Sequence, residues 1–81
     1  MDFMQCTINR IENLLKEKDL SANHLGDLSG VPVSTIQNIL YKTIDNPGMI
    51  TIKKICDGFG IDIVEFFDSK EFDSVRIKKE R

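Results

Sequence analysis

The chain has 81 residues, 41% of them hydrophobic and 30% charged, with a net charge of −2 and a pI near 5.3. This is the composition of one globular domain and excludes a disordered or membrane-bound chain. Such a short chain buries only about 60 to 65% of its unfolded surface. No apolar run approaches the roughly 20 residues of a membrane span. The start Met1-Asp2-Phe3-Met4-Gln5-Cys6 has neither the basic residues nor the apolar core of a signal peptide, so a cytoplasmic protein is expected.

Met4, Ile8, Ile11 and Leu15, with Leu14 beside them, recur at helical spacing, and Arg10, Glu12, Lys16 and Glu17 fill the other side. They predict a first helix from about Phe3 to Lys18. Ser21 can cap a second helix that ends before Gly30, a residue able to take the positive φ of a sharp turn. Gly26 removes a side chain where this helix would come closest to the next. Pro32 suits the first turn of a third helix running to about Tyr41, because its missing N–H costs nothing there. Leu25, Val31, Ile36 and Ile39 would form the small core between these two helices.

Lys42 to Ile50 reads as a loop, with Asp45-Asn46-Pro47-Gly48 fixing a turn. Thr51 is the expected cap of a fourth helix, in which Ile52, Ile55, Cys56 and Phe59 repeat at i, i+3, i+4 and i+7 before Gly60 ends it. Asp62 and Glu65 have capping-box spacing for a short fifth helix with Ile63, Val64, Phe66 and Phe67 as its apolar body. Residues 1–68 form the domain. Residues 69–81 are a charged C-terminal tail with Phe72, Val75 and Ile77 as apolar anchors, either a short extra element used for dimerisation or a frayed end, the shared spacing of the three favouring the first. Val75-Arg76-Ile77 is the nearest approach to strand alternation.

Cys6 and Cys56 lie 50 residues apart on or beside helical apolar stripes and read as two reduced core thiols. His24 is the single histidine and the cysteines have no CxxC spacing, so no metal site is expected. One histidine and two apolar-face cysteines also supply no set of nucleophile, base and orienting group, and no catalytic residue or cofactor is assigned. Asp62 and Glu65 are explained by capping. Phe59, Phe66, Phe67 and Phe72 lack the interleaved basic residues of a nucleotide-stacking platform and read as core or dimer surface.

The block from Ile8 to Phe67 resembles the phage Cro and repressor type of helix-turn-helix domain, the XRE family. Its marks are Ile11-x-x-Leu14-Leu15-Lys16, Leu20-Ser21, Ser29-Gly30-Val31-Pro32 leading into Ser34-Thr35-Ile36, Asn46-Pro47, and Gly60-Ile61-Asp62 followed by Glu65-Phe66-Phe67. The resemblance implies an all-α, five-helix, lambda-repressor-like fold that commonly dimerises and lays its third helix in the major groove. Ala22 stands where many relatives have a phosphate-bracing Gln, His24 where many have Glu, and Gly26 where Ala is usual. These departures leave Asn23 as the candidate phosphate contact on helix 2.

At about 100° per residue, Ser34, Asn38 and Tyr41 oppose the apolar Ile36, Ile39 and Leu40, with Thr35, Gln37 and Lys42 on the flanks. Gln and Asn pair bidentately with adenine, Ser and Thr meet bases or phosphates, and the Thr35 methyl or Val33 can meet a thymine methyl. The competing reading is an ordinary solvated helix face, and the family position decides against it. With no Arg in helix 3, guanine reading from that helix is unavailable and an A/T-leaning operator is expected. Lys53-Lys54 and Lys78-Lys79 read as solvated charge.

The expected function is a sequence-specific transcriptional regulator, a repressor binding a pseudo-palindromic operator in double-stranded DNA as a homodimer. The alternative is a protein-partner module of the same fold, such as an antitoxin, for which the acidic pI and an exposed Phe66–Phe72 region speak. Segment charges of −1, −1, −2 and +2 over residues 1–19, 20–50, 51–68 and 69–81 show that one pI says little about one face.

Overall fold

A computed structural model of the chain describes residues 2–44 and 46–76. Asp45, in the expected turn, and Ile77, Lys78 and Lys79 of the tail lie outside them. Five α-helices follow one another: α1 (Phe3–Glu17), α2 (Ala22–Ser29), α3 (Val33–Leu40), α4 (Met49–Phe59) and α5 (Ile63–Phe67). A 3₁₀ helix covers Lys70–Val75. The chain is an all-α, five-helix domain, and the described residues contain no strand.

Local chemistry accounts for most of the helix ends. Asp2 caps α1 by accepting from the Gln5 N–H at 2.7 Å, Ser21 caps α2 from the His24 N–H at 3.1 Å, and Asp62 caps α5 from the Glu65 N–H at 2.7 Å. Two starts differ from expectation. Pro32 stands just outside α3, and α4 begins at Met49 after Gly48 rather than behind Thr51, which lies inside the helix.

α1, α3 and α4 close in the same way. Leu20 N–H reaches Leu15 O, Thr43 N–H reaches Asn38 O and Ile61 N–H reaches Cys56 O, each bond spanning the last turn. The residue that turns the chain is Asp19 (φ 54°), Lys42 (φ 59°) and Gly60 (φ 76°) respectively. Such closures use a left-handed residue, and two of these three are not glycine.

Cys6, Ile8, Ile11, Leu14, Leu25, Ile36, Ile39, Ile55, Cys56, Phe59 and Phe66 form the centre of the core. The expected α2–α3 core of Leu25, Val31, Ile36 and Ile39 is buried throughout. Both cysteines are free and buried, and burial pushes the Cys56 thiol up to about 11. α2 packs chiefly on α4. Gly58 makes that seam close, because a Cβ there would stand 2.8 Å from the Ser29 Cβ and 3.1 Å from Leu25 Cδ1. Gly26 allows a second close approach, where a Cβ would lie 3.1 Å from the Val31 carbonyl oxygen.

Arg10 does not fill the polar side of α1. It is buried, with Nε donating to Phe66 O at 2.8 Å and Nη2 to Glu65 O at 2.9 Å, while its guanidinium lies 5.9 Å from the Phe66 ring centroid. It thereby satisfies carbonyls at the end of α5 that have no partner within the helix. The 3₁₀ helix packs on α1 through buried Phe72, an Asn13–Glu71 hydrogen bond of 2.6 Å and a Cys6–Ser74 contact of 3.6 Å. Arg76 closes its end with ion pairs to Asp68 and Asp73, each at 3.0 Å.

Candidate nucleic-acid interface

The interface begins with a turn that only glycine fits without strain. Gly30 ends α2 at φ 76°, its N–H bonded to Gly26 O at 2.9 Å, and the Ser29 hydroxyl accepts from the Val31 N–H at 3.1 Å. Val31 then enters the core and Pro32 turns the chain into α3. With Ile36 and Ile39 fully buried, helical periodicity forces Ser34, Gln37, Asn38 and Tyr41 outward.

All four are exposed, Tyr41 at 76%. The side chains of Ser34, Gln37 and Asn38 make no hydrogen bond to any other described residue, so their donors and acceptors face solvent. The 3₁₀ helix lies against α1 and leaves this edge uncovered. Val33 and Thr35 are half-buried at the entry of α3. Asn23 is exposed on α2 and shares with Val33 an open cleft of about 680 Å³, also lined by Gly26, Asp27 and Pro32.

Lys42 departs from the rest. Its Nζ is held 3.1 Å from Asp2 Oδ2, so the cation flanking α3 already has a carboxylate partner. The Gln5 N–H and then the Lys42 ammonium hold the Asp2 carboxyl below its ordinary range. Nothing in the local pattern of α1 or α3 signals this pair, because its members are 40 residues apart.

The chemistry available along α3 is therefore neutral hydrogen bonding with an aromatic hydroxyl at one end. It is presented on a helix, about 10 to 12 Å across with its side chains, that fits the roughly 12 Å width of the DNA major groove. The family comparison decides what this geometry belongs to. A family model described as helix-turn-helix matches residues 11–66.

The chain belongs to the Cro and repressor type of helix-turn-helix family. It is a DNA-binding regulator of that family, with α2 and α3 as the helix-turn-helix pair. No curated protein and no solved structure matches it. No helix among the described residues is long and apolar enough to cross a membrane.

A second surface was misplaced by the sequence. Phe66 and Phe72 are buried and Phe67 is half-buried, so the aromatic side chains of the Phe66–Phe72 segment do not form the expected exposed surface. Exposed apolar area lies instead at Phe3, Met49, Ile50 and Val64. Phe3, Met49 and Ile50 border a groove of about 750 Å³ between the start of α1, the loop after α3, α4 and α5, floored by Ile52, Ile63 and Phe67. Phe3 stacks on Phe67 at its edge, with centroids 5.9 Å apart.

Proposed function

We propose that the protein is a cytoplasmic, sequence-specific repressor that binds a pseudo-palindromic operator as a homodimer and blocks polymerase by occupying the site. The observation that carries this reading is the uncovered edge of α3. Ser34, Gln37 and Asn38 keep their hydrogen-bonding groups unspent on a helix that Ile36 and Ile39 anchor rigidly in the core. Gln37 and Asn38 offer bidentate pairing with adenine, Thr35 and Val33 meet thymine methyls, and Asn23, Ser34, Tyr41 and Lys42 reach the backbone walls. A two-fold dimer sets two α3 helices about 34 Å apart in successive major grooves.

The apolar groove beside Phe3, Met49 and Ile50 favours a second reading, a module of this fold that docks a protein partner. Salt separates the two. A dimer neutralising about six phosphates loses affinity for duplex DNA with a slope of log K on log salt near −5. That slope, read by fluorescence anisotropy, is the expected result, and a slope near zero overturns the repressor reading in favour of the partner module.

A further inference from the structure

Lys42 is the only Lys or Arg between residues 20 and 44, the stretch that builds α2, the turn, α3 and the chain leaving it. It follows α3 directly, at a left-handed position, and Thr43 locks that position by giving both its N–H (2.9 Å) and its hydroxyl (3.0 Å) to Asn38 O. A helix seated in the major groove lies between two sugar-phosphate walls, and the exposed Lys42 just past its end is within reach of one of them. The one cation placed to meet a phosphate there is held instead by Asp2.

The pairing has the form of an anion site already filled from within the chain. One Asp2 oxygen, Oδ1, accepts from the Gln5 N–H at the start of α1, and the other, Oδ2, accepts from Lys42 Nζ. A backbone N–H at a helix start and a lysine ammonium are also what a DNA phosphate seeks.

We infer that Asp2 is an internal competitor of the DNA backbone: its carboxylate occupies Lys42, and a phosphate at the end of α3 must displace it before the domain makes its one basic contact there. The inference rests on the DNA reading above and adds an affinity-setting residue outside the helix-turn-helix pair. Both side chains of the pair are well exposed, at 43% and 62%. An ion pair so open to water is weak enough for a phosphate to replace. The device lowers affinity for DNA in general and leaves discrimination to the neutral side chains of α3, because phosphate contacts carry no sequence information.

The test is a double-mutant cycle on the whole chain, read as binding to a random-sequence duplex across a salt series. Asp2→Ser keeps an oxygen for the Gln5 N–H, so α1 stays capped, and thermal unfolding checks this. Asp2→Ser is expected to tighten binding about two- to fivefold per protomer at low salt. It also steepens the salt slope by about 1. Lys42→Met is expected to weaken binding modestly in the unaltered background and to erase the gain in the Asp2→Ser background. An unchanged isotherm for Asp2→Ser, or a gain that survives Lys42→Met, overturns the inference while salt-dependent binding by the unaltered protein preserves the DNA reading. Absence of salt-dependent binding by every form removes both.

Discussion

Between α2, α3 and α4 the packing rests on small residues and apolar side chains, with Gly58 against Ser29, Gly26 against the Val31 carbonyl, and Leu25, Ile36 and Ile39 in the middle. On the opposite side, α1, α5 and the 3₁₀ helix share the Phe66 and Phe72 rings and add polar side chains with particular partners: Arg10 on two α5 carbonyls and Asn13 on Glu71. The difference follows from what each side must leave free. On the reading side, inward shape fit holds the helices and the outward polar groups remain available to a ligand. On the far side, polar groups are consumed in fixing the frame.

Breaking each side should therefore have a different signature. Gly58→Val places a branched side chain where even a Cβ is too close to Ser29, and it should cost about 3 kcal/mol or prevent folding. Thermal unfolding and DNA binding should fail together. Arg10→Met strands the Glu65 carbonyl and leaves Phe66 O only the longer 3.4 Å bond from the Ser69 hydroxyl, and should cost about 2 to 3 kcal/mol. Urea titration checks that loss, and the molecules still folded should bind DNA as before.

The converse applies to Gln37→Ala and Asn38→Ala, which should each lose about 1 to 3 kcal/mol of operator binding with almost no change in thermal midpoint. A matching loss of fold stability would mean that these side chains serve the core. The smallest effect is expected at Asp19, which closes α1 at φ 54°. Replacing it with Gly relieves the left-handed penalty against glycine's extra backbone entropy and should gain about 0.5 kcal/mol, read as a small rise in the thermal midpoint.

What the sequence revealed and concealed divides along the same physical line. Ser21, Gly30, Gly60 and Asp62 act on neighbours three or four residues away, so residue type and spacing were enough to place them. The apolar period likewise located Ile8, Ile11 and Leu14 in the core of α1, with Met4 and Leu15 half-buried at its margin, and the outward edge of α3. Arg10 was misjudged because its partners are carbonyls 55 and 56 residues on, and no periodicity records a long-range bond to backbone. Thr51 has the residue type of a cap, whereas α4 begins three residues earlier than such a cap implies, behind Gly48 at φ 84°.

Gly58 carries a signal that went unused, a glycine inside a helical run whose cost invites a packing reason. The Phe66–Phe72 segment deceived because a run of aromatics beside charges reads as surface, while in the fold Phe66 and Phe72 turn inward and Phe3, Met49 and Ile50 take the exposed place. The paired state of Lys42 had no local trace at all.

Selection of bound sequences from random duplex DNA tests the central claim most directly. The account predicts enrichment of an A/T-leaning inverted repeat with half-sites about one helical turn apart, together with weakened selection at one position of each half-site for Asn38→Ala. Recovery of no shared sequence, or of one motif that Asn38→Ala and Gln37→Ala both leave intact, would contradict the assignment of the α3 edge as the surface that reads DNA.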